Sequence, residues 1–267
     1  MRPTAIGATA YAALTRSGGA ARVMARLAAS IYMTAGDAIV WLGPATAPLH
    51  PRAILVARAP DVEGDDVAID VGPLVPWRPG PIVLDRVAAD AARTAWRGLA
   101  SALAALGTPA GFGARLAGAP LAFPLDGAAA AADALADACA RDDARAATDA
   151  ARALLGLGGG LTPSGDDFVG AALFARRALG DGGSVDARVW RRAADTVLAA
   201  APSRTHPISA ALLGDLAAGL GHAPLHDLLT ALAADQRADA RDAARRLVAL
   251  GHSSGWDMLA GLGAGLG

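Results

Sequence analysis

The chain has 267 residues, of which 54% are hydrophobic and 18% charged, and a net charge of −1. That length and balance exclude a disordered chain and suit one large or two smaller globular domains. A near-neutral chain with no basic cluster is not expected to bind nucleic acid.

All 24 basic residues other than histidine are arginine, so Schiff-base chemistry and a Walker-type lysine are excluded. One cysteine, Cys139, leaves no intrachain disulfide and fits a reducing compartment. It lies in an Ala-rich, helical-looking segment and reads as a small buried apolar residue. At the N-terminus, Arg2, the weakly apolar run Ala5–Leu14 and Arg16 carry no cleavage signal. Neither a signal peptide nor a membrane span is expected, and the location expected is cytoplasmic.

Short apolar or alternating runs at Arg22–Leu27, Ala38–Leu42, Ala53–Ala57, Val67–Val71 and Ile82–Leu84 predict strands. Gly36-Asp37, Gly43-Pro44, Pro60-Asp61, Gly72-Pro73 and Pro79-Gly80-Pro81 punctuate them as turns. Asp85 is placed to cap a helix over Val87–Leu106, which Gly107 and Pro109 end. Residues 108–126, with three glycines and two prolines at 111, 113, 118, 120 and 124, read as a connection. From Ala128 onward the pattern is helical. Breaks fall at Gly158–Gly160, Gly180–Gly183, Pro202–Pro207, Gly219–Pro224 and Gly251–Gly255. The fold class is therefore α+β: a strand-rich unit over 1–125, then an α-helical bundle over 126–267.

The bundle contains an internal repeat. Ala151-Arg-Ala-Leu-Leu-Gly-Leu-Gly158 matches Ala244-Arg-Arg-Leu-Val-Ala-Leu-Gly251, and Ser164-Gly-Asp-Asp-Phe-Val matches Ser254-Gly-Trp-Asp-Met-Leu. Each copy reads as helix, glycine, tight loop, helix. Ser164 and Ser254 are expected as N-caps, with Asp167 and Asp257 at N3 completing capping boxes and Gly165 and Gly255 at N1. Shared residues then belong to the scaffold. The distinctive ones carry chemistry: Gly159, Gly160, Thr162, Pro163 and Asp166 in the first copy, His252, Ser253 and Trp256 in the second. A duplicated hairpin could bring two helix N-termini to one point and hold an anion there.

Gly158, Gly159 and Gly160 can bring backbone close to a ligand, and the helix start at Ser164 and Gly165 offers N–H groups. In the segment 203–209, Arg204 suits a carboxylate or phosphate, Thr205 and Ser209 add hydroxyls, and Thr205 or His206 could cap a helix with Pro207 near N1. His252, flanked by Ser253 and Ser254, is expected near a loop tip, where general acid–base work is open to it. Asp166 and its neighbour Asp167 cannot share a helix face. One carboxylate plus a substrate phosphate could hold Mg²⁺, although two acids at a helix start also answer the helix dipole. His222 and His226 are spaced i,i+4 but lack a zinc-motif context, and no metal site is assigned to them.

Three blocks now stand out: Gly-Leu-Thr-Pro-Ser-Gly-Asp-Asp-Phe, Arg-Thr-His-Pro-Ile-Ser-Ala-Ala-Leu-Leu and Gly-His-Ser-Ser-Gly-Trp-Asp. In sequence and order they resemble the signatures of the AllH-like family, which includes the AllH-type subunit of oxamate carbamoyltransferase. The resemblance covers about 150–261. It departs from the family pattern at Gly159, where proline is expected, and at His206, where asparagine is frequent. It implies a subunit that works beside others in carbamoyl transfer between oxalurate and phosphate, in purine (allantoin) catabolism. The partners implied are partner subunits and a small anion such as carbamoyl phosphate or oxamate.

The assignment that follows gives His252 and Asp166 catalytic roles. Gly158, Gly159, Gly160, Thr162, Ser164, Gly165, Arg204, Thr205, Ser209, Ser253 and Ser254 bind the anion, and no cofactor is required. Two other readings fit the same residues: a non-catalytic assembly or ligand-sensing subunit, and a Mg²⁺-dependent helical hydrolase using Asp166.

Overall fold

Six strands at the N-terminal end hydrogen-bond into one mixed sheet. They are β1 (Ala5–Ile6), β2 (Ala20–Arg26), β3 (Ile31–Ala35), β4 (Ala38–Pro44), β5 (Ala53–Val56) and β6 (Asp66–Ala68), in the order β1-β5-β4-β3-β2-β6. The computed structural model describes residues 1–58, 62–100, 102 and 106–267. The expected turn at Pro60-Asp61 lies outside the described residues, as do positions 101 and 103–105 of the expected helix Val87–Leu106.

Gly36, with φ +61°, turns β3 into β4, which pair antiparallel from Ile31↔Leu42 to Ala35↔Ala38. A positive φ there is what glycine supplies without steric cost. β4 and β5 are parallel, and the remaining pairs are antiparallel. Met33, Val40, Leu42 and Ile54 point into a small core with Leu14 and Ala10 of α1 (Ala8–Arg16). The strand β3, not expected from the sequence, has the burial alternation of a one-sided strand. Its run Ile-Tyr-Met-Thr-Ala is too short for periodicity to declare alone.

The helical elements are α2 (Arg86–Ala100), α3 (Gly113–Leu116), α4 (Ala129–Ala140), α5 (Ala144–Leu154), α6 (Ser164–Asp181), α7 (Ala187–Ala200), α8 (Pro207–Ala217), α9 (Ala223–Ala233), α10 (Arg237–Val248) and α11 (Ser254–Leu266). Asp85 caps α2 as expected, its Oδ1 accepting from Ala88 N–H at 2.9 Å. Ile82–Leu84 is not a strand. Leu84 is fully buried and donates its N–H to the Ala178 carbonyl of α6 at 3.0 Å.

By their contacts the residues form two units: Met1–Gly80 with Gly221–Ala223, and Pro81–Leu220 with Pro224–Gly267. The division falls before α2, earlier than position 125. Ala89, Ala92, Ala95 and Leu99 of α2 share a core with Phe174 of α6, Leu247 of α10 and Leu262 of α11. An amphipathic helix belongs with the surface that buries its apolar stripe.

The second unit is built around α6. Sixteen of its residues, from Ser164 to Gly180, are buried. Ala171, Phe174, Ala175 and Ala178 enter one core, while Phe168, Val169, Ala172 and Leu173 enter another with α4, α5 and α7. A helix apolar all round is a central one. α11 lies against it at backbone distance. A Cβ on Gly261 would come within 2.1 Å of the Phe168 carbonyl oxygen, and one on Gly265 within 2.4 Å of that of Ala172. Because 168 meets 261 and 172 meets 265, the two helices run parallel and start at the same end.

Towards the other end of α6, Arg176 is buried and ties four segments together. Its guanidinium donates to the Cys139 carbonyl at 3.1 Å and to the Asp142 carboxylate, and lies 4.0 Å from the ring centroid of Trp190. Trp190 Nε1 donates to the same Asp142 oxygen at 2.7 Å. Cys139 is a core residue, as expected, and burial pushes its thiol up to about 11.

Candidate functional site

The parallel packing places the two repeated loops side by side. Thr162 Oγ1 lies 3.4 Å from Ser254 Oγ, and Ser164 Oγ lies 3.2 Å from Ser253 Oγ. Two of the three sequence blocks therefore meet at the starts of α6 and α11.

The third block joins them through Asp166, which is 2% exposed. Its Oδ1 accepts from the Gly156 N–H at 2.9 Å. Its Oδ2 accepts from Ser209 Oγ at 2.7 Å and from Thr205 Oγ1. The carboxylate thus holds the loop after α5 and the start of α8 against α6. Its oxygens are committed inside the protein, which makes Asp166 a positioning residue in this arrangement, in contrast to the metal ligand or acid–base group expected from sequence. Gly156 carries a signal the sequence reading passed over. Its φ is +76°, and a Cβ there would meet the Arg204 carbonyl oxygen at 2.1 Å. Only glycine meets both demands.

The capping boxes do not form. α6 begins at Ser164 with Pro163 in the cap position, α11 begins at Ser254 with Ser253 there, and neither residue makes a side-chain capping bond to the helix that follows it. The N–H groups of Gly165 and Gly255 are taken by the preceding turns, donating to Leu157 O at 2.8 Å and Leu250 O at 3.1 Å. The glycines themselves are needed for contact. A Cβ would lie 2.0 Å from Leu154 O in the first copy and 1.9 Å from Leu247 O in the second. With the helix ends so tightly docked, the Gly165 amide is not available to an anion. Gly158, Gly159 and Gly160 differ: among the described residues their N–H groups donate to nothing, and Gly159 and Gly160 are exposed.

Freed from capping, Asp167 and Asp257 turn inward. Asp257 is completely buried, and its Oδ1 accepts from Phe112 N–H at 2.6 Å. A Cβ on Gly111, whose φ is +53°, would strike the same oxygen at 2.1 Å. Burial pushes the Asp257 carboxyl up to about 6, against the opposing pull of the Phe112 N–H and of Ser164 and Ser253. Asp167 is pushed well above the usual carboxylate range, first by burial and then by the charge of Asp257.

His206 caps α8, its Nδ1 accepting from Ile208 N–H at 3.2 Å with Pro207 at the first position. Arg204 is exposed and donates through Nη1 to the Arg152 carbonyl at 3.1 Å. His252 is exposed on the loop before α11, and its ring makes no hydrogen bond among the described residues. The half-buried or exposed residues at the joined helix starts are Gly158–Gly160, Thr162, Ser253 and Ser254. Asp166 with Thr205 and Ser209 forms a support behind them, and the Arg204 backbone carbonyl lies close to Gly156, which Asp166 also holds.

Among the described residues no helix is long and apolar enough to cross a membrane. Comparison with curated proteins gives no significant match, and comparison with solved structures gives none either. Residues 154–266 match a family model, that of oxamate carbamoyltransferase subunit AllH. The matched segment carries all three blocks.

Proposed function

We propose that this chain is a subunit of an oxamate carbamoyltransferase-type enzyme and binds a small anion at the joined starts of α6 and α11. The observation that carries this reading is the convergence of the three blocks, through Thr162–Ser254, Ser164–Ser253 and Asp166 with Thr205 and Ser209. The unused N–H groups of Gly158–Gly160 and the positive ends of two parallel helices suit a phosphate or carboxylate. Arg204, whose backbone carbonyl lies against Gly156, adds a guanidinium suited to an anion. His252, exposed beside Ser253, is the group best placed to move a proton or to hydrogen-bond a carbonyl gaining charge.

In the reaction, a phosphate oxygen attacks the carbamoyl carbon of oxalurate. The C–N bond to oxamate breaks, and the proton lost by phosphate goes to the departing nitrogen. No redox partner is needed. The chain works with other subunits, in the cytoplasm, as part of purine catabolism.

The test is a thermal-shift series with phosphate, carbamoyl phosphate, oxamate and oxalurate, on the chain alone and with its partner subunits. At a hundredfold excess over Kd a bound anion adds about 2.7 kcal/mol of stability. Arg204→Ala and Thr162→Ala are expected to abolish the shift and the turnover of the complete enzyme while leaving the unliganded chain folded. Intact turnover of the complete enzyme in both variants would favour a purely structural subunit.

A further inference from the structure

Three loops of the helical unit come together on one surface. Residues 156–163, 201–206 and 249–253 are joined by Thr162 Oγ1 with Ser254 Oγ at 3.4 Å, by Ser164 Oγ with Ser253 Oγ at 3.2 Å, and by Asp166 with Gly156, Thr205 and Ser209. The Arg204 carbonyl oxygen is so close to Gly156 that a Cβ there would meet it at 2.1 Å. That surface is open: Gly159, Gly160, Ser203, Arg204 and His252 are all exposed. Sites for small molecules are concave and bury most of their ligand, about 70–90% of its surface. By itself the chain therefore offers one wall of a site.

The charged side chains of this surface have one sign. Residues 156–163, 201–206 and 249–253 contain no aspartate or glutamate. The acids that follow them in sequence, Asp166, Asp167 and Asp257, are buried. Arg204 is exposed, and its Nη1 donates at 3.1 Å to the carbonyl of Arg152, itself exposed in the last turn of α5. Two arginine residues thus adjoin, and neither forms an ion pair among the described residues. Elsewhere in the unit arginines share acids: Arg177 and Arg191 share Asp181, and Arg245 and Arg246 share Asp242.

We propose that these three loops are a docking surface for a partner subunit that presents carboxylates, and that the anion site is completed only between the two chains. Exposed arginines without counter-charges, on a surface free of acids, match an acidic face, and such a match also steers encounter. The family model that residues 154–266 match is that of an enzyme subunit. A second copy of this chain fits poorly. A two-fold contact sets a patch against itself and would bring Arg152 and Arg204 of one protomer towards those of the other. In the docked arrangement partner carboxylates meet Arg152, while the N–H groups of Gly158–Gly160 and the hydroxyls face the substrate. The inference rests on the carbamoyltransferase-subunit reading above and adds where the subunits of that enzyme meet.

Hydrogen–deuterium exchange, on the full chain alone and in the complete enzyme, locates the contact. Slower exchange is expected at the amides of residues 157–162, 202–206 and 250–254 once the partner subunits are bound. Protection elsewhere with these loops unchanged overturns the proposal. So does a homodimer of the chain alone that already protects them. If the partner subunits do not bind the chain at all, the carbamoyltransferase reading fails, and the docking surface fails with it.

A charge series at Arg152 tests the partner's chemistry without altering a group assigned to the substrate. Arg152→Glu is expected to weaken the complex about tenfold or more and Arg152→Lys far less, and the parent complex should loosen as salt is raised. Thermal melts of each variant alone, matching the parent, establish that the fold is intact. Parent-like affinity of the glutamate variant, or equal losses in both variants, overturns the acidic partner.

Discussion

Gly261 of α11 presses its Cα against the backbone carbonyl of Phe168 in α6, so closely that a single methyl group would sit 2.1 Å from the oxygen. Gly265 repeats the contact one turn later, against Ala172. These two glycines set how near the repeated helices come, and so whether their first turns meet. Gly261→Ala is expected to destabilise the chain by about 3 kcal/mol, since the atom in the way is backbone and cannot change rotamer. Urea denaturation measures it directly. If Gly261→Ala proves neutral, the helices are not held at this distance.

Asp166 tests whether the support behind the joined helix starts is structural. Asp166→Ala leaves the Gly156 N–H and the hydroxyls of Thr205 and Ser209 without their acceptor, at a cost of about 1–3 kcal/mol. Asp166→Asn keeps an acceptor and the shape, and the hydroxyls can rotate to accept, so its loss should be smaller. An alanine variant as stable as the parent would return Asp166 to the pool of groups available to a ligand.

Arg176 is expected to be the costliest single polar side chain to remove. Its guanidinium is 2% exposed, hydrogen-bonded to Cys139 O and Asp142, and stacked on Trp190. Arg176→Ala should lower stability by about 3 kcal/mol or more, through loss of a buried pair and of packing. Arg176→Lys should rescue only part of this, because an ammonium lacks the planar fork that reaches both partners. Equal stability of the lysine variant and the parent in thermal melts would contradict the assignment.

His226 on α9 gives a pH effect of the opposite sign to Asp167 and Asp257, whose carboxyls burial pushes up. Burial pulls its imidazole down to about 4, and it packs edge-on against Phe174 at 4.9 Å between centroids. The unfolded chain takes up this proton near pH 6.5, the folded chain only near 4. The stability from neutral His226 is therefore present above pH 6.5 and lost as pH falls from there to about 4. The loss is about 3 kcal/mol at most. His226→Gln should remove this acid limb from the stability profile, and an unchanged limb would assign it to other groups.

Much of the site was legible along the chain because its signals are local. A glycine with positive φ, a proline at a first helical turn and Asp85 before a helix act on residues a few places away. The start of α2 and the cap of α8 follow from them. The repeat was legible for the same reason. The capping boxes were misread because Ser-x-x-Asp spacing says where the side chains are attached but not where they point. Asp257 has a better donor in the Phe112 N–H, 145 residues earlier, and no window of sequence contains both. The boundary before α2 was also hidden, since its alanine-rich face does not name the partner that buries it.

By itself the sequence determined the kinds of element, the duplicated helix–loop–helix, and the three blocks that one family model matches. Only the tertiary structure decided that the two copies lie parallel, that serines of the two copies touch, and that Asp166 is a tie while Asp167 and Asp257 are buried. Helix-forming signals act over a few residues. Which carboxylates lose water and which gain donors depends on backbones brought together from distant parts of the chain, through contacts as close as that of Gly261 with Phe168.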